Sequence, residues 1–346
     1  MSQWRPSASI DALRARANLL GQIRSFFANK QVLEVDTPSL SRHSVTDPYL
    51  NALSTLHTQP GSSKRVPLFL QTSPEFAMKR LLASGSGDIF QICKAFRDDE
   101  VGRQHNPEFT ILEWYRTGFS MQDLIDETAE LLIRVLNAYT QTCTTVEQYT
   151  YAELFERYCN FNPLYVSPKE LLKQLEVFGL QDYSASVLSV IDSEVDHSQI
   201  SEGKRQQIHS DAMLQVLFNQ YIETQIGQHR PAIVTHFPAS QASLATLADD
   251  GLTANRFEVY FKGVELANGF NELKDPELQL ARFEIDNQKR LALGLPIVPI
   301  DTNFIDALRA GLPKCSGIAL GVDRLFMLAL NKQEIREVLS FDYTNC

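Results

Sequence analysis

Apolar residues recur at helical spacing near the start of the chain. Ile10, Leu13, Ala17, Leu20 and Phe27 follow one stripe, and Ser9 stands where an N-cap belongs, so a helix is predicted over about 10–29. The period then changes. Gln31 to Val35 reads as a short strand ended by Thr37-Pro38. Val66 to Gln71 and Ile89 to Arg97 read as strands separated by a helix from Glu75 to Ala83. Phe109 to Arg116 alternates and is rich in Ile, Phe, Trp and Tyr, which predicts a strand antiparallel to the preceding one. From Met121 to about Ile226 the pattern is mostly helical, with breaks at Asn162-Pro163 and Ser167-Pro168. Strands return at Ala232 to Thr235, Arg256 to Phe261 and Val264 to Leu266, the last two joined by a tight Lys262-Gly263 turn. Helices are predicted at Pro276 to Leu293 and Phe304 to Ala310. A glycine-punctuated strand, Ser316 to Leu320, then feeds a helix from Val322 to Leu330.

Strands and helices are interleaved, yet several adjacent strands are joined by short turns. That predicts an α+β fold, an antiparallel or mixed sheet flanked by helices, rather than a doubly wound parallel sheet. No repeat, low-complexity tract or long linker divides the 346 residues, so one domain is expected, with a mostly helical insertion around 161–225. A net charge of −10 argues against a surface built to grip a nucleic-acid backbone. Five cysteines without a CxxC pair fit a reducing compartment, with neither a disulfide framework nor structural zinc. The N-terminus lacks a signal-peptide core and no run is long enough to span a membrane, so a cytoplasmic protein is expected.

Glycines draw attention first at Ser84-Gly85-Ser86-Gly87-Asp88. This segment precedes a strand instead of joining a strand to a helix, and no Lys-Ser/Thr follows, so it reads as a helix-to-strand turn and not as a phosphate loop. Phe96-Arg97-Asp98-Asp99 is different. Arg97 and Asp99, two apart on a strand, share a face; a guanidinium there can hold a phosphate oxygen and a carboxylate can accept from an amino group such as adenine's. His105 and Asn106 sit where outer phosphates would lie, and Phe109 offers a flat face for a purine. Singly, each also reads as a solvated surface group. Glu113 and Tyr115 share a face of the next strand, where a carboxylate beside a phenol suits an ammonium ion or a purely structural hydrogen bond. Glu258 and Glu265 stand on strands paired across the turn, so both can reach one hard cation, as Mg²⁺ takes few carboxylates plus phosphate and water; in isolation they also read as one of the many carboxylate pairs of an acidic chain. Glu272 lies beyond a glycine-kinked stretch and adds negative charge for a cationic substrate. In Gly317-Ile318-Ala319-Leu320-Gly321-Val322-Asp323-Arg324, small alternate residues either let a ligand lie on the strand, with Arg324 facing it from the next helix, or mark only a bend in the sheet.

Three segments in this order resemble the signature motifs of class II aminoacyl-tRNA synthetases: Asp36-Thr37-Pro38 after a long helix, Phe96 through Trp114, and Gly317 through Arg324. The likeness is closest to the lysyl branch, through Thr72-Ser73-Pro74-Glu75, His105-Asn106-Pro107-Glu108-Phe109-Thr110 and Glu265-Leu266-Ala267-Asn268-Gly269-Phe270-Asn271-Glu272. It covers most of the chain, with two departures. The chain begins almost directly at the first motif's helix, so no anticodon-binding domain is expected and tRNA is not the expected acceptor. Ala319 stands where the family has glycine, and one methyl in a shaped pocket is worth about 1–3 kcal/mol of discrimination. Both departures are similar to the paralogous branch that activates (R)-β-lysine and transfers it to a lysine of elongation factor P.

The resemblance implies residue roles. Arg97 would bind the α-phosphate, and Arg324 and His105 the outer phosphates, with Mg²⁺ on Glu258 and Glu265. Phe109 would stack on adenine, Asp98, Asp99 and Asn106 would help position ATP, and Leu266 and Gly321 would line the nucleotide site. Glu75, Tyr115 and Glu272 would recognise the substrate amino groups, with Glu113 in support, Ser73 and Pro74 also in the substrate site, Asn268 near the carboxylate and Ala319 on the pocket floor. The first motif implies a homodimer. The alternatives are a truncated lysyl-tRNA synthetase-like enzyme using L-lysine and a catalytically dead amino-acid sensor; retention of Arg97 and Arg324 argues against the sensor.

Overall fold

In the computed structural model, which describes residues 4–98, 100–139, 143–194, 202–292 and 294–346, helix α1 covers Ile10–Asn29. Ser9 closes its N-terminus by accepting from the Ala12 amide at 3.2 Å, as an N-cap does. There follow β1 (Leu33–Glu34), β2 (Leu40–Ser41), β3 (Ser54–Thr58), β4 (Arg65–Leu70), α2 (Glu75–Ala83), β5 (Ile89–Phe96), β6 (Glu108–Thr117) and α3 (Met121–Asn137). Next come β7 (Glu147–Thr150), α4 (Tyr151–Cys159), α5 (Pro168–Val177), α6 (Gln181–Glu194), α7 (Glu202–Leu217), β8 (Ala232–Thr235), β9 (Arg256–Phe261) and β10 (Val264–Asn271). The chain closes with α8 (Pro276–Ala292), α9 (Thr302–Gly311), β11 (Cys315–Gly321) and α10 (Val322–Ala329).

Two units can be separated. The first comprises Met1–Thr145, Lys274–Leu278 and Val298–Cys346; the second comprises Val146–Leu273 and Gln279–Ile297. In the first unit β1 runs parallel to β5, β5 antiparallel to β6, and β6 antiparallel to β11. One face of this ladder is core: Phe90, Trp114 and Ile318 form a row under α1, and Phe27 stacks on Phe90 at 4.5 Å between ring centroids. Each such buried aromatic side chain contributes about 1.5–3 kcal/mol. Trp114 keeps its indole N–H satisfied by Glu127 of α3 at 3.1 Å. A smaller antiparallel sheet, β2-β4-β3, lies in the same unit.

In the second unit β7 runs parallel to β8, and β8, β9 and β10 are antiparallel. Its core gathers Tyr151, Phe155, Phe218, Phe237 and Tyr260 beneath α4, α5 and α7. The Lys262-Gly263 turn has both residues at positive φ, 51° and 70°, the geometry a two-residue hairpin needs. Gly269 is required for space, since a Cβ there would run into the Phe257 ring.

The α+β architecture with mixed strand directions is the one the pattern predicts. Ser84 to Asp88 is a helix-to-strand turn, with Gly85 and Gly87 at φ 85° and 71°. Three strands escape the sequence reading. β2 and β3 are short and exposed, without an apolar alternation to betray them. β7, Glu-Gln-Tyr-Thr, interrupts a stretch expected to be helical; four mostly polar residues become a strand only because β8 supplies parallel hydrogen bonds. Among the described residues no helix is long and apolar enough to cross a membrane.

Candidate functional site

Opposite the core face, the first unit's ladder presents three rows. Ile89, Tyr115 and Gly317 form one, Gln91, Glu113 and Ala319 the next, and Cys93, Ile111 and Gly321 the third. Small residues on β11 leave room above the strand, and Ala319 and Gly321 are half-exposed. Beside them the residues become polar and buried. Glu113 accepts from Tyr115 Oη at 2.5 Å and from Ser73 Oγ at 2.7 Å. Ser73 also receives the Glu75 amide at 3.1 Å, so the turn before α2, with Pro74 at its N-cap, places Ser73 and Glu75 together. Lys79, one helical turn on, puts Nζ 2.5 Å from Glu75 Oε1 and is itself 1% exposed. Burial, then the charge of Glu75, raises the Glu113 carboxyl to about 8.

Past β5 the chain turns outward. The Arg97 amide donates to Pro107 and the Asp98 amide to Asn51, while Gly102 and His105 bridge across the loop. The guanidinium of Arg97 lies 5.1 Å from the centroid of Phe109, and its Nη1 is 3.2 Å from Glu100. Arg324 reaches the same loop: Nε donates to the Gln104 carbonyl at 3.3 Å and Nη2 meets His105 Nε2. Burial, then Arg324 and Arg97, lowers the His105 pKa, so near pH 7 this imidazole is a neutral partner between two cations. Arg324 is aimed by its neighbour. Asp323 accepts from the Thr110 amide at 2.6 Å and pairs with Arg16 of α1 at 2.6 Å, tying the three motif-like segments together. Asn106 is buried with both ends of its amide engaged, accepting from the Tyr343 amide at 2.8 Å and donating to the Glu108 carbonyl at 2.7 Å. Asp99 lies outside the described residues. A concavity of about 530 Å³ lined by Ser7, Glu334, Arg336, Glu337, Asp342 and Asn345 belongs to this unit too, but none of the predicted site residues lines it.

In the second unit Glu258, Tyr260 and Glu265 share a face, Glu265 pairing with Tyr260 and Asn268 with Glu258 across a bulge between Glu265 and Ala267. Tyr260 Oη and Arg256 Nη2 both donate to the Glu258 carboxylate, and Arg256 Nε donates to Asn268 at 3.2 Å. Leu266 is buried, and Glu272 is buried beside Ala245, whose backbone it bridges. Among the described residues no group of three or more His, Cys, Asp or Glu gathers that could hold a metal ion.

Lys79, Glu100 and Arg256 carry chemistry that the sequence reading did not single out. Lys79 was open to discovery, because it follows Glu75 by four residues on a predicted helix. Glu100 and Arg256 became legible only through the partners the fold gives them.

The family model for tRNA synthetases class II (D, K and N) matches residues 1–345. An elongation factor P–(R)-beta-lysine ligase of Vibrio atlanticus is 48% identical over 343 residues, covering 99% of this chain and 98% of the relative. Similarly named ligases of Haemophilus ducreyi and Erwinia tasmaniensis are each 46% identical, covering 98% and 100% of this chain and 95% and 99% of theirs. On that match over nearly its whole length, the chain belongs to the class II tRNA synthetase family of the D, K and N type.

Proposed function

We propose that this protein activates (R)-β-lysine with ATP and transfers it to a lysine ε-amino group of elongation factor P. The observation that carries this reading is near-full-length identity of 46–48% to ligases so named. The arginines retained at 97 and 324 support it.

The reaction has two balanced steps. The amino-acid carboxylate attacks the α-phosphorus of ATP, forming a C–O–P anhydride and releasing pyrophosphate. The acceptor amine then attacks the activated carbonyl, loses a proton, and AMP leaves. Arg97 stabilises the charge that builds on the α-phosphate, while Arg324 and neutral His105 hold the outer phosphates. Phe109 keeps one ring face against Arg97 and offers the other to adenine. Asp98 and Asp99 position the nucleotide, Gly321 leaves it space, and Asn106 acts by fixing the loop backbone. Glu75, Tyr115 and Glu272 receive substrate ammonium, Glu113 supports them by holding Ser73 and Tyr115, and Asn268 lies near the substrate carboxylate. Mg²⁺ would be held by Glu265 and Glu258, with phosphate and water completing its shell, and would supply charge neutralisation to the triphosphate. We read the chain as one catalytic domain with a helical insertion around 161–225, working as a homodimer in the cytoplasm.

The test is incubation with ATP, labelled (R)-β-lysine and either elongation factor P or tRNA. Label on the protein factor is expected. Label on tRNA alone would replace this reading with a synthetase-like one.

A further inference from the structure

Gln91 sits on β5 directly across from Glu113, which stands across from Ala319 on β11. Side chains paired this way project from one face, with Cβ atoms about 4.5–5.5 Å apart. The row therefore runs from half-exposed Ala319, through Glu113, to Gln91 at 1% exposure. At the usual strand spacing its length is about 10 Å. A ligand lying on the small residues of β11 meets Glu113 next and Gln91 last, at the closed end.

The Gln91 amide brings a donor and an acceptor into that end. Apart from the weak thiol of Cys93, two residues along the same face, neither amide atom has a hydrogen-bond partner. A buried polar group left in this way costs stability unless a bound molecule supplies its partner. Its neighbours are already engaged: Glu113 holds Ser73 and Tyr115, and Glu75 holds Lys79. The uncommitted acceptor is thus neutral. At a buried position that is the favourable choice, because a carboxylate there would carry a desolvated charge when no cation is bound.

We propose that Gln91 is a substrate-recognition residue whose side-chain oxygen accepts a hydrogen bond from the ammonium group lodged at the closed end of the amino-acid slot. The proposal rests on the function above for the identity of the amino acid, and on the row geometry for the contact itself.

Gln91→Met keeps length and apolar fit while removing both polar atoms. Amino-acid-dependent pyrophosphate exchange is measured at saturating ATP with (R)-β-lysine and with two analogues, each lacking one amino group. The amino-acid KM is expected to rise about 5- to 100-fold, with the ATP KM unchanged, and preference over one of the analogues to shrink by a similar factor. Thermal unfolding separates recognition from packing, since loss of an unpaired amide leaves Tm equal or higher. An unchanged amino-acid KM in folded Gln91→Met would overturn the proposal, as would an equal rise for ATP and for both analogues. Should that variant fail to fold, Gln91→Glu decides: it keeps an acceptor, so the preference between substrate and analogue should survive, and its loss counts against the contact. If the wild-type protein activates a different amino acid, the proposed function falls, while the same comparison with that acid still judges Gln91.

Discussion

The guanidinium of Arg97 lies over the ring of Phe109, 5.1 Å from its centroid, and this holds the charge at the mouth of the loop that follows β5. A cation fixed by an aromatic face needs little reorganisation to meet developing negative charge. Arg97→Ala is therefore expected to slow adenylate formation by roughly 10²–10³-fold, the scale for loss of one well-aimed donor. Pyrophosphate exchange measures it, and a near-wild-type rate would remove Arg97 from the reaction.

Glu113 makes stability depend on pH. Its carboxyl is raised to about 8 in the fold from an ordinary 4.5, first by burial and then by Glu75. The folded state holds this proton more tightly than the unfolded chain. Its stabilising contribution is complete below about 4.5 and is lost as pH rises through about 8. Glu113→Gln keeps the shape without ionising. Denaturation midpoints of the wild type should fall more steeply across that window than those of the variant. Parallel curves would point to another group.

Lys79 is buried against Glu75, which keeps part of its solvent. Removing one member of a buried pair is costly because the other charge loses its compensation, and partial exposure of Glu75 softens the loss. Lys79→Met is expected to destabilise the protein by about 2–3 kcal/mol in chemical denaturation. Equal stability would show that the pair contributes nothing net.

Ala319 places its methyl on the half-open strand beside Glu113. Ala319→Gly enlarges the slot by one methyl and is expected to shift the ratio of kcat/KM for (R)-β-lysine over L-α-lysine by roughly tenfold. An unchanged ratio would take Ala319 out of the amino-acid pocket.

Arg97, His105 and Arg324 stood out in the linear chain by residue type and by their place in motif-like segments, and the fold brings Arg324 onto His105 and Arg97 onto Phe109. Glu113 and Tyr115 were legible through strand alternation, as was the hairpin joining Arg256–Phe261 to Val264–Asn271. Asn106 shows where such reading stops. Its residue type fits a phosphate contact, yet its amide is taken by Tyr343, 237 positions away, and by the Glu108 carbonyl. The donors that Arg256 and Tyr260 offer to Glu258 were likewise set by the fold. β7 was invisible because parallel pairing draws on a distant strand and not on its own four residues.

The linear chain by itself determined the mixed α+β class, the order of the motif-like segments and the chemistry of their side chains, because hydrophobic period, turn residues and charge type are local properties. Tertiary structure alone decided which groups are committed and which remain available: that Arg16 ties Asp323 to Thr110, that Lys79 neutralises Glu75, and that Gln91 beside Glu113 is left with only the weak thiol of Cys93. Hydrogen bonds and desolvation depend on distance in space, and the fold sets those distances between residues far apart in sequence.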